Sequence, residues 1–474
     1  MRILEIFLLA CAALGIGLIP RLKIRNALLL AASIFVVYWF QSRSVGLNRI
    51  TFWLPTMTIA LAAFSWAVTA PSEMRTLRGN WLGLSIVVAC VLAVALTRYF
   101  DLYEIISGVI SIPGFDKVLV TAGLAILAVL LVLWFSPLKR FLLPVLLFLF
   151  IAFFVLLKTP ALNRLLYQGI GAVTGSQLVE NGMITWMGFS YFAFRIIHTM
   201  RDRQNGLLPA VTLDEYVTYV IFFPAFVAGP IDRLERFIKD FRTLQPLDDE
   251  DWFFAAKRFV LGLLKKVVVA GAFSAFALSP ELFPRVHSTG WLWITLYAYS
   301  FQIYFDFSGY TDIAIGTARL AGIRLPENFT APYLQPNLTR FWNNWHMTLT
   351  QWFRAYFFNP LQRFFRTSKW NLPAGLLLFG LQVSTMVLIG LWHGVTLNFI
   401  AWGVWHGVGL FIHNRWKDVP GRRISAWACN RPRRLLLEIG GILLTFQFVT
   451  VGWVFFLLPA EQLPAALRLL FRLG

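Results

Sequence analysis

Apolar runs of about 20 residues, the length that crosses a bilayer as a helix, recur along this chain and constrain its fold more than any other feature. The clearest are Ile3–Ile19, Thr51–Ala70, Trp81–Leu96, Val118–Phe135, Phe141–Leu157, Leu372–Leu391 and Leu435–Leu458. With the more polar candidates between them, the sequence predicts about 11 to 13 membrane segments. The fold class expected is all-α, a polytopic integral membrane protein. Composition agrees, since only 14% of the 474 residues are charged, against about 25% in soluble domains.

The 42 Lys and Arg outnumber the 23 Asp and Glu, for a net charge of +19. In a soluble protein that excess suggests nucleic acid. Here the basic residues cluster in short loops: Arg21, Lys23 and Arg25; Arg75 and Arg78; Lys139 and Arg140. They read as positive-inside topology and contact with anionic headgroups. The partner expected is the lipid bilayer, with no nucleic acid. Cys11, Cys90 and Cys429 form neither a disulfide framework nor a metal spacing, so no metal is expected.

The chain divides by texture within one membrane domain covering 1–474. Residues 1–170 are plain spans with short loops, which suits a scaffold. From about residue 180 polar groups enter apolar segments, which is costly in lipid and marks function. Arg195 and His198 stand in "FSYFAFRIIHTMRD", Asp306 and Asp312 in "YFDFSGYTDIAIG", and Gln382 shortly before "LWHG". Pro224 and Pro230 interrupt "FFPAFVAGPIDRLERF", which predicts a broken or re-entrant element packed inside protein. "KDVPGRRISAWACNRPRR" reads as a polar loop.

The stretch "FWNNWHMTLTQWFRAYFFNP", Phe341 to Pro360, mixes rings with polar groups. At helical period Phe341, Trp345, Leu349, Trp352 and Tyr356 share one stripe, while Trp342, His346 and Phe353 align on another face. Aromatic rings with Arg340 and Arg354 near the ends predict a helix in or dipping through the interface rather than spanning. An anchoring helix would account for the rings and arginines but not for His346 beside Asn343 and Asn344.

A second polar unit, "LIGLWHGVTLNFIAWGVWHGVG", holds His393 and His406, each in a Trp-His-Gly triplet. Glycine lets another backbone or a substrate approach closely, and imidazole accepts a proton near neutral pH. Thirteen residues correspond to about 220° around one helix, so the two histidines would face nearly opposite ways. Spacing alone does not choose between them. Asp306 and Asp312 read equally well as helix-fixing groups or as substrate contacts. No P-loop, HExxH, paired-Cys or GxSxG motif is present.

These segments together resemble the membrane-bound O-acyltransferase family. The resemblance rests on the ordered pair "RFWNNWHMTLTQWFRAYFFNPL" and "GLWHGVTLNFIAWGVWHG", with "FFPAFVAGPIDRLERF", "QIYFDFSGYTDIAIG" and "RLPENFTAPYL" upstream and "FVTVGWVFF" downstream. It covers residues 180–458 and is closest in flavour to the bacterial branch containing alginate O-acetyltransferase. It implies interfacial and re-entrant helices around a central tunnel, and transfer of an acyl group, in the acetyl class, from a thioester donor to a hydroxyl. The donor would be acetyl-CoA or an acyl carrier, with no tightly bound cofactor. It further implies His393 as general base and His346 as its partner. Beside them Trp342, Asn343, Trp345, Trp392, Asp306 and Asn398 are the candidates for holding substrate. An acyl-accepting protein on the far side of a bacterial inner membrane is the further partner implied. Asn343 and Asn344 stand where many bacterial members are basic, and Leu457 where an arginine is usual.

The competing expectation is a transporter or lipid flippase using intramembrane His, Asp and Arg. Inverted repeats with broken helices in both halves would favour it. Polar residues confined to the second part favour the enzyme.

Overall fold

The computed structural model describes residues 3–41, 50–100, 112–134, 139–174, 182–243, 247–368, 370, 372–418 and 430–472. Cys429 and residues 419–429 of the expected polar loop lie outside them. The described residues are about 80% helical, with no strand among them.

By contacts the chain falls into two compact units, residues 1–259 with 313–326, and residues 260–312 with 327–474. The first holds α1 (Ile3–Gly17), α2 (Leu22–Gln41), α3 (Trp53–Thr69), α4 (Leu77–Leu96), α5 (Phe115–Trp134), α6 (Lys139–Lys158) and α7 (Pro160–Thr174). Then follow α8 (Phe189–Gln204), α9 (Leu213–Ile221), α10 (Leu234–Phe241) and the start of α11 (Asp249–Leu263). After a π-helical turn at Leu264–Val269 come α12 (Ala270–Ser274), α13 (Thr289–Leu320), α14 (Leu338–Asn344) and α15 (Met347–Phe353). A second π-helical turn at Arg354–Phe358 leads to α16 (Asn359–Thr367), α17 (Ala374–His393), α18 (Leu397–Asp418), α19 (Arg431–Leu457) and α20 (Leu463–Phe471).

Five of these helices, α2, α4, α5, α17 and α19, are long and apolar enough to cross a membrane. The bent pair of α6 and α7, which meet at 93°, would make a sixth. The remaining segments expected from hydropathy are shorter, as α1 and α3 are, or carry polar groups.

Two structural details in the first unit explain polar residues that hydropathy alone leaves unexplained. The Pro224 region is broken and buried, as its prolines predict. Helix α9 ends at Ile221, a single 3-10 turn follows at Phe223–Ala225, and extended chain leads to α10. The carbonyls freed by the break go to Arg195. Its Nη1 donates to the oxygens of Tyr219 (3.1 Å) and Val220 (3.0 Å), and its Nη2 to that of Ala225 (2.9 Å). Arg25 is likewise no headgroup contact. It is 1% exposed and donates to the carbonyls of Phe241 at 2.8 Å and Thr243 at 3.0 Å, at the end of α10. A buried guanidinium with five donors can satisfy several orphan carbonyls at once, which a loop lysine could not.

In the second unit, α17 and α18 form an antiparallel hairpin whose backbones touch. A Cβ at Gly390 would lie 2.1 Å from the Phe399 oxygen, one at Gly403 2.5 Å from the Val387 Cα, and one at Gly407 2.6 Å from the Val383 Cα. Gly403 and Gly407 make a small-xxx-small pair, the spacing that lets membrane helices pack without side chains between them.

Candidate active site

The opening of the site is a break in the aromatic stretch. The stripe from Phe341 to Tyr356 is not one helix: α14 stops at Asn344 and α15 begins at Met347, with His346 between them at φ +41°. A non-glycine residue in the left-handed region costs roughly 1–3 kcal/mol and persists only where its surroundings impose it. Here Asn328, wholly buried, imposes it. Its carbonyl accepts from Met347 N at 2.9 Å, and its Oδ1 accepts from the Thr348 hydroxyl at 2.6 Å. Helix α14 has only seven residues, while α15 runs on through the second π-helical turn into α16. That run is not among the described helices long and apolar enough to cross a membrane.

His346 is 3% exposed, and neither of its ring nitrogens has a hydrogen-bond partner on another described residue. It lies outside the membrane-spanning helices. Burial pushes the imidazole well below its usual range, to about 3, with only its own backbone acting the other way. The ring is therefore neutral at physiological pH, carrying one N–H to donate and one nitrogen to accept. Phe307 of α13 packs edge-on against it at 4.8 Å between centroids.

His393 is the last residue of α17, half-buried, where Gly394 turns extended and ends the helix. This corrects the single-helix expectation for the LWHG segment. The chain reverses at Gly394–Thr396, so the 220° argument does not apply. The two imidazoles share one indole as neighbour: Trp392 lies 6.0 Å from His346 and 4.4 Å from His393, centroid to centroid. Phe456 of α19 closes the other side of His393 at 4.8 Å.

His406 lies across a second indole. Trp402 is 5.9 Å from His393 and 4.8 Å from His406. His406 is wholly buried among Trp342, Trp402 and Phe448. The α19 backbone closes on it so tightly that a Cβ at Gly452 would sit 2.7 Å from its Nε2. No substrate fits between them.

The remaining candidates separate. Trp342 and Trp345 are both buried; Trp345 stacks on Phe341 and meets Trp453 at 5.3 Å. The other three polar candidates bond elsewhere. Asn343 accepts from Arg354 at 2.7 Å, Asn398 donates to the Leu458 carbonyl, and Asp306 pairs with Lys266 at 2.5 Å. Asp312 pairs with Lys265 at 2.6 Å, and between the two pairs Gly309 lets α13 touch the backbone of the first π-helical turn. Both aspartates thus fix that crossing. Asn328, Trp402 and Phe307 were missed as site residues. For Asn328 the motif "RLPENFTAPYL" was the available signal; for the rings there was none, because their contacts are non-local.

Two cavities follow α17 away from His393. One of about 140 Å³ is lined by Thr339, Trp342, Gln382, Thr385 and Met386 among others. The Thr339 hydroxyl, Trp342 indole nitrogen and Gln382 carbonyl oxygen are buried without a partner among the described residues. The second, about 420 Å³, lies at the start of α17 and includes Arg366 and Arg415. Among the described residues no group of three or more His, Cys, Asp or Glu could hold a metal.

Residues 184–419 match the model of the membrane-bound O-acyltransferase family. The teichoic acid D-alanyltransferase of Streptococcus thermophilus is 31% identical over 285 residues, 58% of this chain and 68% of that protein. The chain belongs to the membrane-bound O-acyltransferases. The probable alginate O-acetylase of Pseudomonas aeruginosa is 34% identical over 60% of the chain and 50% of its own length. The peptidoglycan O-acetyltransferase of Helicobacter pylori is 33% identical over 54% and 46%. The chain spans about half the length of these two O-acetylating relatives. The matched residues include His346, Trp392 and His393.

Proposed function

We propose that the protein moves an acyl group, in the acetyl class, from a thioester to a hydroxyl of a cell-surface polymer. The observation that carries this reading is that His346 and His393 both pack against the same indole, that of Trp392. One is a neutral imidazole with unengaged nitrogens, the other a half-buried one at a helix end. His393 takes the proton of the acceptor hydroxyl as its oxygen attacks the thioester carbonyl. His346 donates its N–H to the carbonyl oxygen as charge builds there. The C–S bond then breaks, the proton on His393 passes to the departing thiolate, and the acyl ester remains on the acceptor. A positioned base contributes typically about 10²–10⁴-fold, and one oxyanion donor about 10²–10³-fold.

The two cavities support a donor route along α17. The distance from Leu378 to His393 is roughly 22 Å at 1.5 Å per residue, and Arg366 and Arg415 mark the basic end. By the positive-inside rule that end is the cytoplasmic one, in a bacterial inner membrane. The thioester, acetyl-CoA or a loaded carrier, enters there. The named relatives act on different polymers, which leaves hydroxylated surface polymer as the acceptor class, reached directly or through an extracytoplasmic acyl-accepting protein. Family membership disfavours the transporter reading.

The test is acyl transfer in membrane vesicles given labelled acetyl-CoA inside and polymer outside, with protein abundance measured alongside. Transfer lost in His393→Ala and in His346→Ala at normal abundance is expected. Near-normal transfer in His393→Ala overturns the assignment.

A further inference from the structure

The N-terminal unit contains a slot lined by none of the candidate-site residues. It runs between α3, α4 and α5, about 150 Å³, and its walls are aliphatic: Ala60 and Ala63 on α3, Val87 and Val91 on α4, Ala122 and Ala125 on α5. Facing alanines create the space, since larger residues at those four positions would close it. Along α3 the slot reaches from Thr56 to Trp66, ten residues or roughly 15 Å. The Thr56 hydroxyl at one end is already bonded, to the Phe52 carbonyl at 2.8 Å and to Tyr38 at 2.7 Å.

The other end is polar and basic. Arg75, Thr76 and Asn80 line it. The Asn80 amide is fully used, by the carbonyls of Met74 (2.6 Å) and Thr76 (2.8 Å) and by Leu213 N (2.8 Å). Arg75 Nε donates to the Ala70 carbonyl at 2.8 Å, and Nη2 reaches the same oxygen. Its Nη1 makes no hydrogen bond among the described residues. Of the nearby acids, Asp214 accepts from Thr212 at 2.6 Å and Glu215 pairs with Arg242 at 2.6 Å. Glu73, which accepts from Ser72, is exposed and shares its charge between Arg75 and Arg203 without a hydrogen bond to Arg75. Arg203 adds a second positive charge close enough to disfavour that of Arg75.

The slot opens between helices whose outer faces are apolar: Trp81 and Leu82 on α4, Leu119, Val120, Leu124 and Leu127 on α5 are exposed. In a membrane protein the medium against such faces is acyl chain, so a water-soluble ligand would reach the slot only by leaving water. We propose that the slot holds one chain of a phospholipid, with the phosphate against the Nη1 edge of Arg75 and the Thr76 hydroxyl. A guanidinium suits a phosphate through charge-assisted hydrogen bonds, and one rigid end with one greasy channel fits an amphiphile of that polarity. The site gives the N-terminal unit a lipid-binding function that does not depend on the acyl-transfer reading.

Native mass spectrometry of the purified full chain, offered mixed micelles of phosphatidylglycerol, reads the site directly. The wild type should retain one phospholipid. Ala63→Leu with Ala125→Leu should lose it while Tm holds or rises, because the added methyls fill existing space. Should that pair fail to fold, Val88→Phe from the facing wall is read in its place. Arg75→Gln, whose amide still reaches Ala70, should weaken retention about tenfold. Undiminished retention in the filled variants overturns the slot. Equal retention of diacylglycerol, which lacks the phosphate, overturns the headgroup assignment.

Discussion

Arg195 and His198 in the first unit and His346 in the second are polar groups buried among apolar helices, yet they are held in opposite ways. Arg195 spends its guanidinium on three backbone carbonyls. His198 Nε2 meets the Tyr219 hydroxyl at 2.9 Å, and that hydroxyl donates on to the Asp232 carbonyl at 2.7 Å. Neither nitrogen of His346 has a partner among the described residues, and the residue sits on strained backbone. Leaving a buried polar group unmade costs about 1–3 kcal/mol, so the second arrangement carries a cost that the first avoids. The difference separates polar groups that hold the fold from polar groups kept for a substrate. His406 marks the edge of that rule: its nitrogens are also unengaged, but rings and the Gly452 backbone seal them.

The largest effect expected is on transfer in His393→Ala, a loss of about 10²–10⁴-fold at unchanged membrane abundance. Vesicle assays with labelled donor check it, and a loss traced wholly to missing protein would break the comparison. His346→Gly comes next and sharpens it, because activity and stability should part. Glycine tolerates positive φ, so Tm should fall little while transfer falls about 10²-fold, the size of a lost oxyanion donor. A parallel fall in both would make His346 a packing residue. Arg195→Met should do the reverse. Orphaning three carbonyls costs several kcal/mol at about 1–3 kcal/mol each, so abundance and Tm collapse while each surviving folded molecule keeps its rate. The smallest effect belongs to His406→Asn, a few-fold change in transfer that follows stability and is read from rate per folded protein. A loss as deep as that of His393→Ala would move the reaction to the other indole.

Much of this was legible in the sequence because it is local. Apolar run length yields helices and membrane residence, and two prolines with a glycine predict the break after Ile221. Three Trp-His pairs mark His346, His393 and His406 without separating them. What was not legible is where period and topology disagree. The aromatic stripe keeps helical spacing straight through His346, so nothing in the pattern warns that Asn328 pulls the chain into the left-handed region there. The LWHG segment keeps its hydropathy through Gly394, which hides the reversal. Lys265 and Lys266 look like loop charges until α13 supplies Asp312 and Asp306 from about 40 residues away.

The α17–α18 hairpin has a consequence for how the protein is made. Domains emerge and fold in chain order during synthesis, and two apolar helices joined by three residues, touching backbone to backbone, can enter the bilayer as one piece. His393 can therefore be in the membrane before Arg431–Leu457 packs beside it. Until that helix arrives, the base lacks Phe456 on one flank, and His406 lacks the Gly452 wall that seals it. A chain truncated after Asp418 would lack both Phe456 and the Gly452 wall, so competence depends on the Arg431–Leu457 helix packing against the hairpin.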